Sequence, residues 1–414
     1  MPRPYTTAEF PVPDPDHRVG FILSLAGALH AHGTSTQRIE QALNEVASHL
    51  AIIAQFFVTP TSVFAAFGPQ VNQRTYLMRV EPGATDLGRL ARLDAVVVEV
   101  VAGRMTPAEG ATRIGEIGTA PPAYGRWLTT LAFATASAAA CQFLGGGLRE
   151  IAVASVLGLL TGLLALLADR LPPVGRVFTP LASFIAALLA SAAGVLIGGF
   201  SVTTAMLAGM IVLLPGMMLT TAMTELAANH LTAGTARLSA AFVVFIMMAV
   251  GVAFGQRVAT EFLGEAPVVA SLPLPPVALW PAMVVAALSF AVLLRALPRD
   301  VPWILVSGAI GLLASQVGSG LFGAEFGAFL GALSVGVASN LLARATNRPA
   351  AIASVPGTLL LVPGSVGFRG VTAMLDREVV SGVDTLFTML LLAISLVSGL
   401  LFANLVSPER RLGG

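Results

Sequence analysis

The chain reads as a polytopic α-helical membrane protein: ten transmembrane helices arranged as two inverted five-helix repeats, plus an N-terminal cytoplasmic α+β domain. Three observations predict this. Hydrophobic residues make up 56% of the 414 and charged residues only 11%, whereas soluble domains carry about 25% charged residues. Beyond residue 126, apolar runs long enough to span a bilayer follow one another with short polar breaks. Within those runs a Pro-Gly pair recurs 148 residues further on, in matching apolar surroundings.

The charges mark the first boundary. Residues 1–125 hold 11 acids and 9 arginines, an ordinary density, whereas the remaining 289 residues hold 11 acids and 14 arginines. The expected division is a cytoplasmic domain at 1–125, a first membrane repeat at 126–266, a Pro-rich linker at 267–276 and a second repeat at 277–414. A net charge of +1 argues against nucleic acid as a partner. The single cysteine, Cys141, lies in an apolar run and allows neither an internal disulfide nor a thiolate metal site. The opening residues lack the apolar core of a signal peptide.

In the first domain, 17–32 carries an apolar stripe at Val19, Ile22, Leu23, Ala26 and Leu29, which predicts an amphipathic helix ended by Gly33. Thr34 to Gln37 has the form of a capping box opening a second helix with the stripe Ile39, Leu43, Val46 and Leu50. Three β-rich runs follow at 53–59, 62–67 and 75–80, punctuated by Pro60 and Gly68-Pro69. A helix is expected over 86–101, and Thr106-Pro107-Ala108-Glu109 caps another. The order is ααβββαα. Four histidines lie here, His17, His30, His32 and His49. No catalytic string or metal-ligand spacing accompanies them, so they read as surface residues and no cofactor or metal is expected.

A spanning helix needs about 20 apolar residues. Ten candidates run at 127–145, 151–168, 177–198, 203–224, 238–255, 277–296, 301–318, 323–342, 350–373 and 384–404, with the weakest boundary at Gly198-Gly199. An even number puts both termini on one side. Connections on that side carry nine arginines, Arg410 and Arg411 among them, against three on the other. The excess predicts cytoplasmic termini in a plasma-membrane protein.

A shift of 148 superposes Gly209, Leu213, Pro215 and Gly216 on Gly357, Leu361, Pro363 and Gly364 without a gap. Thr224, Gly234, Leu238, Gly251 and Phe254 then meet Thr372, Gly382, Leu386, Gly399 and Phe402. Five helices per half force the second half to enter the membrane the other way up, as in secondary transporters that alternate access around a midplane site. Proline removes a backbone donor and glycine permits non-helical angles, so each pair should break its helix. Broken helices persist in lipid only where they are buried or line a wet cavity.

The candidate substrate-binding and translocation residues cluster at these breaks: Pro215, Gly216, Thr220, Thr221, Thr224 and Glu225 in the first half, Pro363, Gly364, Ser365 and Arg369 in the second. Glu225 is the candidate proton-coupled group, since intramembrane ionisable residues are costly and functional by default. The threonines and Ser365 would hydrogen-bond a substrate whose carboxylate lies near Arg369. Asp169, Glu325 and Asp376 fall near helix ends, where interface solvation explains them. Ser315, Gln316 and Asn340 are lesser candidates that equally serve as glue between helices.

Several stretches resemble the threonine/serine exporter family. They are 25–33, Leu-Ala-Gly-Ala-Leu-His-Ala-His-Gly, with Arg38-Ile39-Glu40 and 57–62; Leu214-Pro215-Gly216, Glu225-Leu226, 229–234 and Ala236-Arg237-Leu238; and 362–365 with Arg369-Gly370. The resemblance spans about 17–406. It implies a ten-helix carrier, not an enzyme, that exports threonine, serine or similar small amino acids, driven by the proton motive force. Protons would be the coupling ion, the lipid bilayer the environment, and a homo-oligomer is compatible with the chain. Two rivals of other classes are a membrane-tethered enzyme acting through the N-terminal domain and a small-solute channel.

Overall fold

The computed structural model describes residues 16–408 except Val362 and Asp376. Asp376, Arg410, Arg411 and the opening residues read above for a signal peptide therefore lie outside the described residues.

The N-terminal unit has the expected order. Helices α1 (His17–Ala31) and α2 (Thr36–His49) precede strands β1 (Ala54–Thr59), β2 (Ser62–Phe67) and β3 (Arg74–Arg79), and helices α3 (Leu87–Val101) and α4 (Pro107–Thr119) follow. The strands form an antiparallel sheet in the order β1-β2-β3. Phe21, Ile22, Leu25, Ile39, Leu43, Val63 and Leu93 are among the core residues between helices and sheet. At α4 the capping box forms as read, with the Glu109 backbone N–H donating to Thr106 Oγ1 and Glu109 Oε2 accepting from the Thr106 N–H.

Two expectations fail in this unit. The α2 capping box does not form: Ser35 is the N-cap residue and makes no side-chain cap bond. A carboxylate from the membrane region takes that place, as described below. His30 and His32 are also not on the surface, being 1% and 7% exposed. The α1 stripe is wider than the periodicity suggested, because the sheet and α3 cover its C-terminal end. His30 Nε2 lies 3.2 Å from the Thr59 carbonyl oxygen. Burial depresses both imidazoles below the usual histidine range, His32 to about 4. His17 and His49 are exposed.

The membrane region comprises α5 (Arg126–Phe143), α6 (Leu148–Arg170), the short α7 (Pro172–Arg176), α8 (Phe178–Leu196), α9 (Val202–Gly209), α10 (Gly216–Ala227), α11 (Leu231–Leu263), α12 (Leu279–Leu293), α13 (Val301–Phe322), α14 (Ala324–Thr346), α15 (Ala351–Leu359), α16 (Gly364–Leu375) and α17 (Val379–Val406). Among the described residues eight helical segments are long and apolar enough to cross a membrane, or nine if α9 and α10 are one bent span. This is a multi-pass membrane protein. The segment outside that set is α5, where Arg126, Gln142, three threonines and a serine dilute the apolar residues. Helix α11 runs 33 residues, well past the expected 238–255.

The elements of the two halves recur at the same offset. α10 and α16 each have 12 residues and begin at Gly216 and Gly364. The turns that follow them contain the left-handed residues Asn229 (φ 63°) and Arg377 (φ 66°), and Gly199 (φ 67°) and Asn347 (φ 56°) are related in the same way. Packing recurs too: α8 lies on α11 as α14 lies on α17, α10 on α11 as α16 on α17, and α6 on α9 as α13 on α15.

Candidate translocation site

The two Pro-Gly pairs meet. A Cβ on Gly364 would lie 3.3 Å from the Cα of Gly216 and 3.3 Å from the Cβ of Leu214, so no side chain separates the helices here. Pro215, Gly216, Pro363 and Gly364 are all buried. In the first half the chain bends by 51° between α9 and the segment Ile211–Ala227. In the second, α15 ends at Leu359 and α16 starts at Gly364, on a segment that passes as one span. Around the breaks Leu219, Phe245, Phe368, Val371, Met389 and Ala393 form a shared apolar cluster drawn from both halves.

The other candidates are dispersed. Thr220 is buried, Thr221 and Thr224 are half-buried on α10, and Ser365 is half-buried on α16. The Thr220 hydroxyl donates to the Gly216 carbonyl at 3.1 Å and Thr224 to the Thr220 carbonyl at 2.9 Å. These bonds hold the helix turn after the break and leave the hydroxyl lone pairs as acceptors. Arg369 is exposed, five residues into α16.

Glu225 is fully buried but lies nine residues beyond Gly216, about 13 Å along the helix axis. Its Oε1 accepts from the Thr36 backbone N–H at 3.0 Å and the Thr36 hydroxyl at 2.9 Å. Its Oε2 accepts from Arg237 Nε at 2.9 Å. The membrane region thus supplies the cap that Ser35 does not give α2, a favourable place for an anion at a helix N-terminus. Next to it, Glu40 Oε2 lies 3.8 Å from His230 Nδ1. Glu225 is therefore brought together with the N-terminal unit, not with Arg369.

Among the described residues of the membrane region, two further buried acids escaped the sequence reading. Glu150 is 3% exposed, and its carboxylate accepts from the N–H groups of Gly147 at 3.1 Å and Ser201 at 2.9 Å, tying the start of α6 to the start of α9. Asp300, 1% exposed, pairs with Arg348 and ties the start of α13 to the loop before α15. In each half, then, an acid grips the loop leading into the broken helix. Glu150 carried a legible signal, an acid three residues after a glycine that opens a helix. Asp300 carried none. Asn340 acts as glue, its amide donating to Asn404 Oδ1 and the Ser407 carbonyl.

A helical membrane protein whose paired broken helices meet at Pro-Gly motifs has the architecture of a carrier. The comparisons agree with that class. A family model for threonine/serine exporters matches residues 20–259, more than half the chain, and a second, "Threonine/Serine exporter, ThrE", matches 281–406. The chain belongs to the threonine/serine exporter family, a family of transporters.

A "Probable threonine/serine exporter" of Mycobacterium tuberculosis is 26% identical over 412 residues, covering 94% of this chain and 76% of the relative. An uncharacterized protein of Schizosaccharomyces pombe is 25% identical, covering 87% of this chain and 45% of its own length. "Pheromone-regulated membrane protein 10" of Yarrowia lipolytica is 25% identical, covering 85% and 30%. The chain thus spans less than half the length of these fungal relatives. No solved structure matches.

Proposed function

We propose that the protein is a secondary transporter that exports threonine, serine or similar small amino acids across the plasma membrane, driven by the proton motive force. Its ten crossings form two inverted five-helix repeats, α5–α11 and α12–α17, with α9/α10 and α15/α16 as the broken spans. Contacts between helix ends support this path. The ends of α10 and α12 lie against the N-terminal unit, and α15 packs on its α3. The end of α17 meets the end of α14 through Asn340 and Ser407. Gly147 packs at the Leu272 carbonyl and Ser271 bonds Thr204, which gathers the starts of α6 and α9 and the linker at the opposite face.

On this path α10 and α15 line the half nearest the N-terminal unit, and α9 and α16 line the far half. The meeting of Gly216 and Gly364 is the observation that carries the reading. Ends of broken helices offer free N–H and C=O groups that suit an amino acid's carboxylate and ammonium. Thr220, Thr221, Thr224 and Ser365 would bond its hydroxyl, and Arg369 would meet its carboxylate on the far side. Glu225 is the coupling carboxylate, on the half-helix that moves. The excess of arginines on the side of the N-terminal unit supports a cytoplasmic position for that unit. Labelled-threonine efflux from preloaded proteoliposomes tests this. Gradient-driven efflux lost in Gly364→Val and in Glu225→Gln is expected; efflux that survives both would discard the site.

A further inference from the structure

The N-terminal unit touches both halves of the membrane region, and the two contacts differ in chemistry. Against the second half, Leu87 is 1% exposed and joins an apolar cluster that runs along α12 through Ala291, Ala287 and Met283 and includes Ile304. The backbone N–H groups of Leu87 and Gly88 donate to the carbonyls of Leu294 and Arg295 at 2.9 and 3.1 Å. Arg295 lies 3.4 Å from Asp86, and α3 packs on α15. This contact combines an apolar cluster and two backbone hydrogen bonds with one ion pair. Against the first half the contact is polar: the Thr36–Glu225–Arg237 cluster and the Glu40–His230 pair, whose side chains are 18% and 22% exposed. Each contact reaches a broken helix, α10 through Glu225 and α15 through α3.

We propose that the N-terminal unit is a hinged latch: anchored to the second half at Leu87–Gly88, it holds α10 shut through Thr36 and Glu225, and substrate enters from its side only when that polar contact parts. The inference rests on the alternating-access reading and adds the element that closes one face. Water can replace the bonds of the polar contact one by one, since its rim is already wet, whereas parting the anchor would expose Leu87 and orphan two carbonyls. Thr36 and Glu40 act through α10 and are positioning residues.

The experiment uses the full chain with its single cysteine, Cys141, replaced by alanine. Glu40→Cys and His230→Cys are joined by a short reducible bis-thiol reagent. Efflux should fall at least tenfold and recover with reductant, which excludes misfolding as the cause. Unchanged efflux in the cross-linked protein would overturn the latch. In a second variant, Thr36→Val is combined with Thr221→Cys on α10. A membrane-impermeant maleimide applied from the side of the N-terminal unit should label Cys at that position several-fold faster than in the Thr221→Cys parent. Equal or slower labelling would overturn the proposal. If even the wild type moves no threonine, the transport reading fails, and the labelling comparison still decides the latch.

Discussion

The contact at Glu225 makes a quantitative prediction. Its carboxylate has no exposure and accepts three hydrogen bonds, one from a guanidinium that is itself 18% exposed. Removing it in Glu225→Ala strands Arg237 in a poorly hydrated site and leaves the first turn of α2 without a cap. Breaking a buried pair from one side costs about 3–5 kcal/mol, and the water that reaches Arg237 lowers this to about 3 kcal/mol. Glu225→Gln keeps an acceptor for Thr36 but turns the oxygen that faces Arg237 into an NH2 donor, so about 2–3 kcal/mol is expected, less than for Glu225→Ala. A double-mutant cycle of Glu225→Gln with Arg237→Gln should give a coupling of about 1–2 kcal/mol. The assay is apparent thermal denaturation in detergent at one fixed scan rate, since membrane proteins seldom unfold reversibly. Additive single-mutant effects would refute the argument that the two side chains share one buried pair.

Other outcomes follow from the same geometry. Gly364→Ala should be nearly tolerated and Gly364→Val should destabilise by about 1–3 kcal/mol through overpacking, because the first Cβ already sits 3.3 Å from Gly216 and Leu214; melting of the two variants checks this. Glu150→Ala should cost about 2 kcal/mol by leaving buried N–H groups without an acceptor, read as a lower melting temperature. For His32 the sign is fixed by its lowered pKa: the unfolded chain binds the extra proton, so stability rises with pH between about 4 and the unfolded value and is lost as pH falls through that window. The loss is on the order of 3 kcal/mol. Acid titration of stability should show it, and His32→Asn should flatten the profile.

Much of the fold was legible because its causes are local. Apolar runs, the capping box at Thr106 and the turn residues around Pro60 and Gly68 each specify their own element, and the N-terminal order ααβββαα follows from them. Breaks at Pro215-Gly216 and Pro363-Gly364 were legible for the same reason. Their meeting is visible only in three dimensions. The partner of Glu225 lies 189 residues away, so no spacing rule could reveal Thr36. The sequence groups Glu225 with the break, but nine residues of helix carry it about 13 Å beyond Gly216, out to the N-terminal unit. His30 and His32 were misread because periodicity on α1 shows one stripe, whereas α4, α2, α3 and the sheet all pack on that helix and His32, its C-cap, is buried as well. Helix α5 packs on α6 and α12 but is not among the segments apolar enough to cross a membrane, so its crossing is proposed from that packing.

The most direct test of the central claim is efflux of labelled threonine from proteoliposomes containing the wild-type protein, with and without an imposed pH gradient. Efflux should accelerate with the gradient, collapse with a protonophore and be competed by serine. Efflux indifferent to the gradient and the protonophore would contradict a proton-coupled exporter and favour a channel.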